Sequence, residues 1–577
     1  MASPRGVRIY TPGGIVVGSV EPLPKGRRYV QVVIIGGVAG GMSAATRLRR
    51  LDPSASIIVL ERSGYVSYAN CGLPYHVGGI IKNEQDLLLQ TPASLHARFE
   101  LDVRTHSEVV SINRDQQTVT VRDLSRGETY DLAYDHLVMS PGAQAIVPPL
   151  PGIERALTLR TVEDVQRIVD AVALRPKNAV VIGGGFIGIE AAENLAHLGI
   201  NTTIVEAADQ VLAPLDPEMA LPVLRELQRH GVTVHLGRPL AAVHADSVEL
   251  ADGTVINADF VLLAIGVRPD TTLARAAGLT VGSRGGIEVD VESRTSDPRI
   301  FAIGDAAEKL DALDGEPTLV PLANVANRQG RYVADTIMGR RVRRVDTQGT
   351  AIVKVFDLTI ATTGWNEKRL TANGRANLPI HAHPGSHAGY YPGSEQMHLK
   401  LLLDPDSGRI LGAQGVGRDG VDKRIDVIAT AMRAGLTGPE LADLELAYAP
   451  PFGSAKDAVN MLGYISENAL AGLSPMVQWH DVEALISADA YILDVRTARE
   501  YAAGHIEPSV NVPVDDLRAA LATLPRDKHI VVTCAAGLRG HTATMLLRGN
   551  GFDAVNLDGG YLTYSDGMAS RPLVAVN

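Results

Sequence analysis

Cysteine is almost missing from this chain: its 577 residues contain two, Cys71 and Cys534, far apart in the sequence. A disulfide framework is therefore excluded as the source of stability, and no metal site is expected. Long apolar runs are missing too. No segment approaches the roughly 18 residues needed to span a bilayer, so no membrane helix is expected. The stretch 1–28 lacks a basic start followed by an apolar core and reads as an N-terminal extension, not a secretory leader, which makes the cytoplasm the expected compartment. Positive charge is also in deficit, with a formal net charge of -11. That excludes a general attraction to nucleic acid or anionic membrane and leaves room only for a local basic pocket that takes a phosphorylated substrate. The apolar fraction of 45% and charged fraction of 21% are those of an ordinary globular protein. The length calls for about three to four domains.

Glycine-rich turns are what the chain does have. From Tyr29 it reads strand, turn, helix (YVQVVIIGGVAGGMSAATRLRRL), then a second strand, SIIVLER, that ends at Glu61 and Arg62. Gly36, Gly37, Gly40 and Gly41 let backbone approach a pyrophosphate at a helix N-terminus, while a carboxylate such as Glu61 accepts a ribose hydroxyl. Val38 occupies the central glycine position of the usual G-x-G-x-x-G pattern. The pattern recurs in NAVVIGGGFIGIEAAENLAHLGINTTIVEAA, with Gly183, Gly185 and Gly188 in the turn and Glu206 after the next strand. Two such units imply two dinucleotides. Glu206 would bond a free 2′-hydroxyl and repel a 2′-phosphate, which favours NADH over NADPH.

Three further strands, in HLVMSPGAQAIVPPLPG, FVLLAIGVRPD and SDPRIFAIGDAAE, each end in small residues. The last returns the chain to the first unit after the second is complete, nesting one nucleotide domain inside the other. Asp305, behind such a strand, suits a ribityl hydroxyl or a phosphate-linked water. SPGA with Ser140 and Gly142, IGVRP with Gly266, and FAIGD with Asp305 resemble signatures of the pyridine-nucleotide disulfide oxidoreductases. The resemblance spans about residues 30 to 465 and implies FAD in the first unit and NADH in the second. Phe186 stands where relatives carry an aromatic ring that covers the flavin until nicotinamide arrives.

Cys71 lies in SYANCGLPYHVGG, a turn-rich context that favours an accessible thiol. A C-x-x-x-x-C dithiol would need its second cysteine at His76, so Cys71 acts alone. A lone thiol fed by reduced flavin can become a sulfenic acid or a mixed disulfide with an external thiol. The segment is similar to the single-cysteine motif of the coenzyme A disulfide reductase branch, with Ser67, Asn70, Cys71, Gly72, Leu73, Pro74 and Tyr75 in register. The resemblance extends to LANVANRQGR, HAGYYPG and YAPPFGSAKD. It implies a homodimer in which Tyr390 and Tyr448 reach the disulfide from the partner subunit. It also implies a coenzyme A site drawing on Ser43, Ser67, Asn70 and Asn327, with Arg47, Arg50 and Lys456 for the phosphates. Arg47 and Arg50, one helical turn apart, would be able to clamp a single anion, or form an ordinary solvated basic face.

After Tyr464 the stretch SENALAGLSPMVQ reads as a small, polar linker, and a new unit follows. In HIVVTCAAGLRGHTATMLLRGNGF a strand ends at Cys534, and a glycine-containing loop leads to a helix expected to start near Gly540. Loop N–H groups and Arg539 would stabilise a thiolate or persulfide. The unit resembles rhodanese-like domains through LDVRTAREYAAGHIEPSVNVP and the C-x-x-G-x-R loop.

The expected architecture is α/β. It has an FAD-binding domain at 29–150 and 271–345, enclosing an NADH-binding domain at 151–270. An α+β dimerisation domain at 346–465, a linker at 466–477 and a rhodanese-like α/β domain at 478–577 follow. The expected activity is NADH-dependent, flavin-mediated reduction of coenzyme A disulfide, coenzyme A persulfide or a polysulfide at Cys71, coupled to sulfur transfer at Cys534. Coenzyme A would serve as substrate or retained cofactor. Two rivals stay open: an NADH oxidase or peroxidase acting through a sulfenic acid, and a redox-sensing electron carrier.

Overall fold

The structure, a computed structural model, describes residues 30–343 and 346–571. The expected extension at 1–28 lies outside these residues, as do 572–577. Runs rich in Val and Ile form the central strands because both faces are covered: in the first sheet Val32 and Ile34 pack against helices and Val33 and Ile35 against the antiparallel strands Ser107–Asn113 and Thr118–Asp123, and Val32, Val33 and Ile34 have no exposed surface. Burying each such side chain contributes about 1.5–3 kcal/mol.

The first sheet is parallel and has the spatial order Ile300–Ala302, His136–Met139, Gln31–Ile35, Ser56–Leu60, Asp102–Arg104. Its outer strand Ile300–Ala302 enters only after the second sheet is finished. That second sheet, also parallel, runs Thr233–His235, Asn201–Val205, Asn178–Ile182, Phe260–Leu263, Leu157–Thr158. The two nucleotide folds are therefore nested, as the strand order in the sequence implies. A five-stranded antiparallel sheet, Ala351–Val355 through Leu378–Ala382, follows with the helix Val421–Ala434 against it. The last sheet is parallel: Met476–Val477, Ala554–Leu557, Ile530–Thr533, Tyr491–Asp494, Val510–Asn511. Among the described residues no helix is long and apolar enough to cross a membrane.

The linker expected at 466–477 takes a different form. The helix Ala458–Leu470 runs through its first part, and Met476–Val477 is already an edge strand of the C-terminal sheet. Ser466 is wholly buried and returns its hydroxyl to the Leu462 carbonyl at 2.6 Å, so a residue that reads as solvent-loving spends its polarity inside the helix.

The domains are also fastened by buried charge. Lys400 is fully buried, with Nζ 2.6 Å from Glu218, 3.0 Å from Asp216 and 2.5 Å from Glu367. One ammonium thus joins the helix Pro217–Arg229 of the second nucleotide fold to the antiparallel sheet. Removing one partner of such a buried set costs ~3–5 kcal/mol, because the other charge is left uncompensated.

Candidate functional site: a dinucleotide cavity ending at Cys71

Gly36 and Gly183 end the first strands of their units with φ of +97° and +111°. A Cβ on either would meet a neighbouring carbonyl oxygen, of Ser140 at 2.1 Å or Ala264 at 2.4 Å, so only glycine lets these strand ends turn into their helices. The acidic residues are already aimed at these turns. Glu61 accepts from the Gly37 N–H at 2.8 Å, and Glu206 accepts from the Gly184 N–H at 2.6 Å and the Ala208 N–H at 2.8 Å. Gly41 and Gly188 sit where helix and turn touch: a Cβ would lie 1.9 Å and 2.0 Å from the Gly36 and Gly183 carbonyl oxygens.

Both turns open into one cavity of about 1540 Å³, larger than the ~300–1,000 Å³ of a single-ligand pocket. From the first unit it is lined by Gly36, Gly40, Glu61, Arg62, Ser140 and Gly142; Gly304 and Asp305 close that side. From the second come Gly183, Gly185, Phe186, Glu206 and Gly266. The size and the paired glycine–carboxylate donor sets fit two dinucleotides, FAD and a nicotinamide nucleotide. Asp305 is held by Arg160, whose guanidinium is 3.2 Å away and also donates to the Ala143 carbonyl at 2.6 Å. Arg160 lies outside any recognisable motif.

Cys71 is exposed and lines the same cavity beside Asn70. It sits in a short 3-10 turn, Asn70–Gly72, and the helix Leu73–Val77 behind it buries Leu73, Pro74 and Val77. Leu73 and Val77 share a core with Ile189 and Ala192 of the helix Phe186–His197. Packing therefore fixes the thiol relative to Phe186.

One turn beyond Phe186 on that helix stands Glu190, which also lines the cavity and which the sequence reading missed. Its i, i+4 spacing from Phe186 is the signal that would have found it. Tyr75 donates to Glu190 Oε1 at 3.1 Å. Burial pushes the Glu190 carboxyl up to about 7, the Tyr75 bond opposing the rise and Glu193 adding to it. Partial desolvation of the thiol at the cavity wall, then Glu190 and Asp305, raise Cys71 above its ordinary value, against a backbone hydrogen bond that lowers it. As pH climbs through about 7 the Glu190 charge develops beside Cys71 and opposes the thiolate. Glu190→Gln is expected to lower the Cys71 pKa, read from the pH dependence of its alkylation by iodoacetamide; an unchanged or higher pKa would contradict this.

Tyr390 and Tyr448 are not part of this cavity in one chain. Their hydroxyls are 2.7 Å apart on the outside of the antiparallel domain, with Tyr390 75% and Tyr448 47% exposed. The bond to Tyr448 raises the Tyr390 phenol above its ordinary range. Buried Arg424 ties the two supporting loops together, donating to the Ser386 carbonyl at 2.9 Å and to Asp457 at 2.8 Å.

Of the remaining candidates, Ser43 donates to Asn327 at 2.8 Å between the helices Ala39–Leu51 and Ala323–Ile337. Ser67 holds the first turn through its N–H to the Gly37 carbonyl at 2.8 Å. Arg47 and Arg50 do not form a joint clamp: Asp335 captures Arg47 at 2.7 Å, while Arg50 is exposed. Lys456 is exposed.

At the C-terminal site Cys534 follows the strand Ile530–Thr533 and is only 1% exposed. The helix begins at Leu538, earlier than Gly540, which places Arg539 in its first turn. The Gly537 N–H donates to Cys534 Sγ at 3.1 Å. Arg539 is gripped by both oxygens of Glu500, at 2.8 and 2.6 Å, and this pairing holds the Glu500 carboxyl down at about 2.

Comparison with known proteins agrees with this layout. Residues 30–330 match the model of pyridine nucleotide-disulphide oxidoreductases, and 350–459 match the dimerisation domain of the same group. Residues 478–566 match the rhodanese-like domain. The chain belongs to the pyridine nucleotide-disulphide oxidoreductase family. Among its relatives, coenzyme A disulfide reductase from Staphylococcus epidermidis is 33% identical over 436 residues, covering 75% of this chain and 99% of the relative. The crystal structure of reduced CoADR-RHD from Bacillus anthracis is 47% identical with a TM-score of 0.93, covering 94% of this chain and 99% of that one. A NAD-dependent persulfide reductase from A. fulgidus is 38% identical with a TM-score of 0.87, covering 93% and 100%.

Proposed function

We propose that the protein uses NADH to reduce coenzyme A persulfide, and by the same route coenzyme A disulfide or polysulfide, at Cys71. The observation that carries this reading is a solitary, exposed thiol at the wall of a cavity shared by two nucleotide turns, in a chain that also carries a rhodanese-like domain. FAD, when bound, supplies two-electron transfer between nicotinamide and sulfur. The rest falls to the chain's own residues. Phe186 stands at the entry of the nicotinamide side, and Glu206 selects a free ribose hydroxyl and hence NADH. The Cys71 thiolate attacks the inner sulfur of coenzyme A persulfide, forming a mixed disulfide and releasing hydrosulfide; two electrons and a proton then free coenzyme A and restore the thiolate. The net reaction consumes NADH and a proton and yields coenzyme A, hydrogen sulfide and oxidised nucleotide.

A homodimer completes the site in this reading. The Tyr390–Tyr448 pair of a second copy, already joined by its own hydrogen bond, donates a proton to the departing coenzyme A thiolate. Ser43, Asn327, Arg50 and Lys456 hold the carrier, while Arg47 is engaged by Asp335. Cys534 lies in the rhodanese-like domain and is not among the residues lining the cavity that Cys71 faces, so sulfur travels between the two centres on coenzyme A.

Steady-state NADH oxidation separates this reading from an oxidase or peroxidase. Coenzyme A persulfide is expected to be turned over with a higher kcat/KM than oxygen or peroxide; dominant peroxide turnover would overturn the proposal.

A further inference from the structure

The C-terminal sulfur-transfer loop is braced by a turn that the reductase holds. Asp558 follows the strand Ala554–Leu557, and Gly559 and Gly560, with φ of +65° and +62°, lead into the helix Gly560–Ser570. The first N–H groups of that helix reach back to the cysteine loop: Tyr561 donates to the Cys534 carbonyl at 2.7 Å and Leu562 to the Ala535 carbonyl at 3.0 Å. A Cβ on Gly560 would lie 2.5 Å from the Cys534 carbonyl oxygen, so turn and loop are in direct backbone contact. The position of this turn therefore sets the loop that aims the Gly537 N–H at Cys534 Sγ.

The Asp558 N–H donates to the Val477 carbonyl at 3.0 Å, and its carboxylate is gripped by a residue of the antiparallel domain. His381 donates its backbone N–H to both Asp558 oxygens, at 3.1 and 3.0 Å, and its Nδ1 is 2.7 Å from Oδ2. Its Nε2 is 3.1 Å from Glu218 on the helix Pro217–Arg229. His381 and Asp558 are each 2% exposed. A Cβ on Gly559 would come within 2.8 Å of the His381 Cβ, which shows how closely the two domains meet there.

We propose that His381 is a positioning residue for sulfur transfer at Cys534, acting through Asp558 and the Gly559–Gly560 turn, so that the rhodanese-like site is complete only when docked on the reductase. This rests on Cys534 being a sulfur carrier. In the step concerned, the Cys534 thiolate attacks the outer sulfur of coenzyme A persulfide, the donor S–S bond breaks, a new S–S bond forms and coenzyme A thiolate leaves, with no net oxidation.

The test uses full-length holoenzyme without NADH, mixed with coenzyme A persulfide, and follows by mass spectrometry the gain of one sulfur atom on the Cys534 peptide. Wild type must gain it; if it does not, the carrier reading itself fails. His381→Ala is expected to slow the gain about tenfold to a hundredfold, the scale of an ångström-sized misplacement of reacting groups. Asparagine places its amide near Nδ1 and glutamine near Nε2. His381→Asn therefore restores most of the rate through Asp558, whereas His381→Gln, reaching Glu218 instead, does not. Flavin reduction by NADH in the three variants stays within about twofold of wild type, which reports an intact reductase. Unchanged sulfur gain in His381→Ala, equal rates for Asn and Gln, or parallel loss of flavin reduction would each overturn the proposal.

Discussion

Cys71→Ser is expected to lower NADH-dependent turnover of coenzyme A persulfide by about 10³-fold or more, the scale seen when a nucleophile is removed. NADH is expected still to bleach the flavin at close to the wild-type rate. The separation follows from where the thiol sits. Cys71 is held on a short turn whose anchors, Leu73 and Val77, lie in the core and are untouched by the change. The second glycine turn, with Gly183 and Glu206, is built by the other nucleotide fold. Serine keeps the volume and the turn but cannot form the mixed disulfide. Cys534 does not substitute, since it is buried in another domain. Stopped-flow absorbance checks both halves, and a variant that keeps persulfide turnover would show that Cys71 is not the reacting sulfur.

Gly188→Val carries the second large effect, on the opposite half of the chemistry. The first atom of any side chain at this position falls 2.0 Å from the Gly183 carbonyl oxygen and 3.0 Å from its carbonyl carbon. These are backbone atoms of the turn itself, so relief requires the helix Phe186–His197 to move away from the strand Asn178–Ile182. Phe186 and Glu190 ride on that helix, which carries the displacement into the shared cavity and to the neighbourhood of Cys71. An ångström of displacement at such a site costs about 10²-fold. The rate of flavin reduction by NADH should fall by that order while flavin content stays near wild type, because the first nucleotide turn is a separate unit. Wild-type reduction kinetics in this variant would mean that the close approach is not required.

Local patterns made most of this legible in the sequence. The two glycine turns and their carboxylates are short-range features with a fixed physical purpose, and the strand around Phe301 betrays the nesting because it appears after the second unit closes. Cys71 reads as accessible from its own neighbours. Contacts between distant segments are a different matter. Nothing near Tyr390 announces Tyr448, and no spacing rule joins His381 to Asp558 or Arg160 to Asp305. Asp335 takes Arg47 out of the expected anion clamp from another helix, and Ser466 looks like linker until its hydroxyl is seen to fold back on Leu462. Glu190 is the exception, since it stands one helical turn from Phe186.

The most direct test of the central claim is anaerobic stopped-flow mixing of the NADH-reduced wild-type enzyme with coenzyme A persulfide, following the flavin and the nicotinamide absorbance. Rapid reoxidation of the enzyme with release of hydrogen sulfide is the predicted result; reoxidation no faster than with buffer would contradict it.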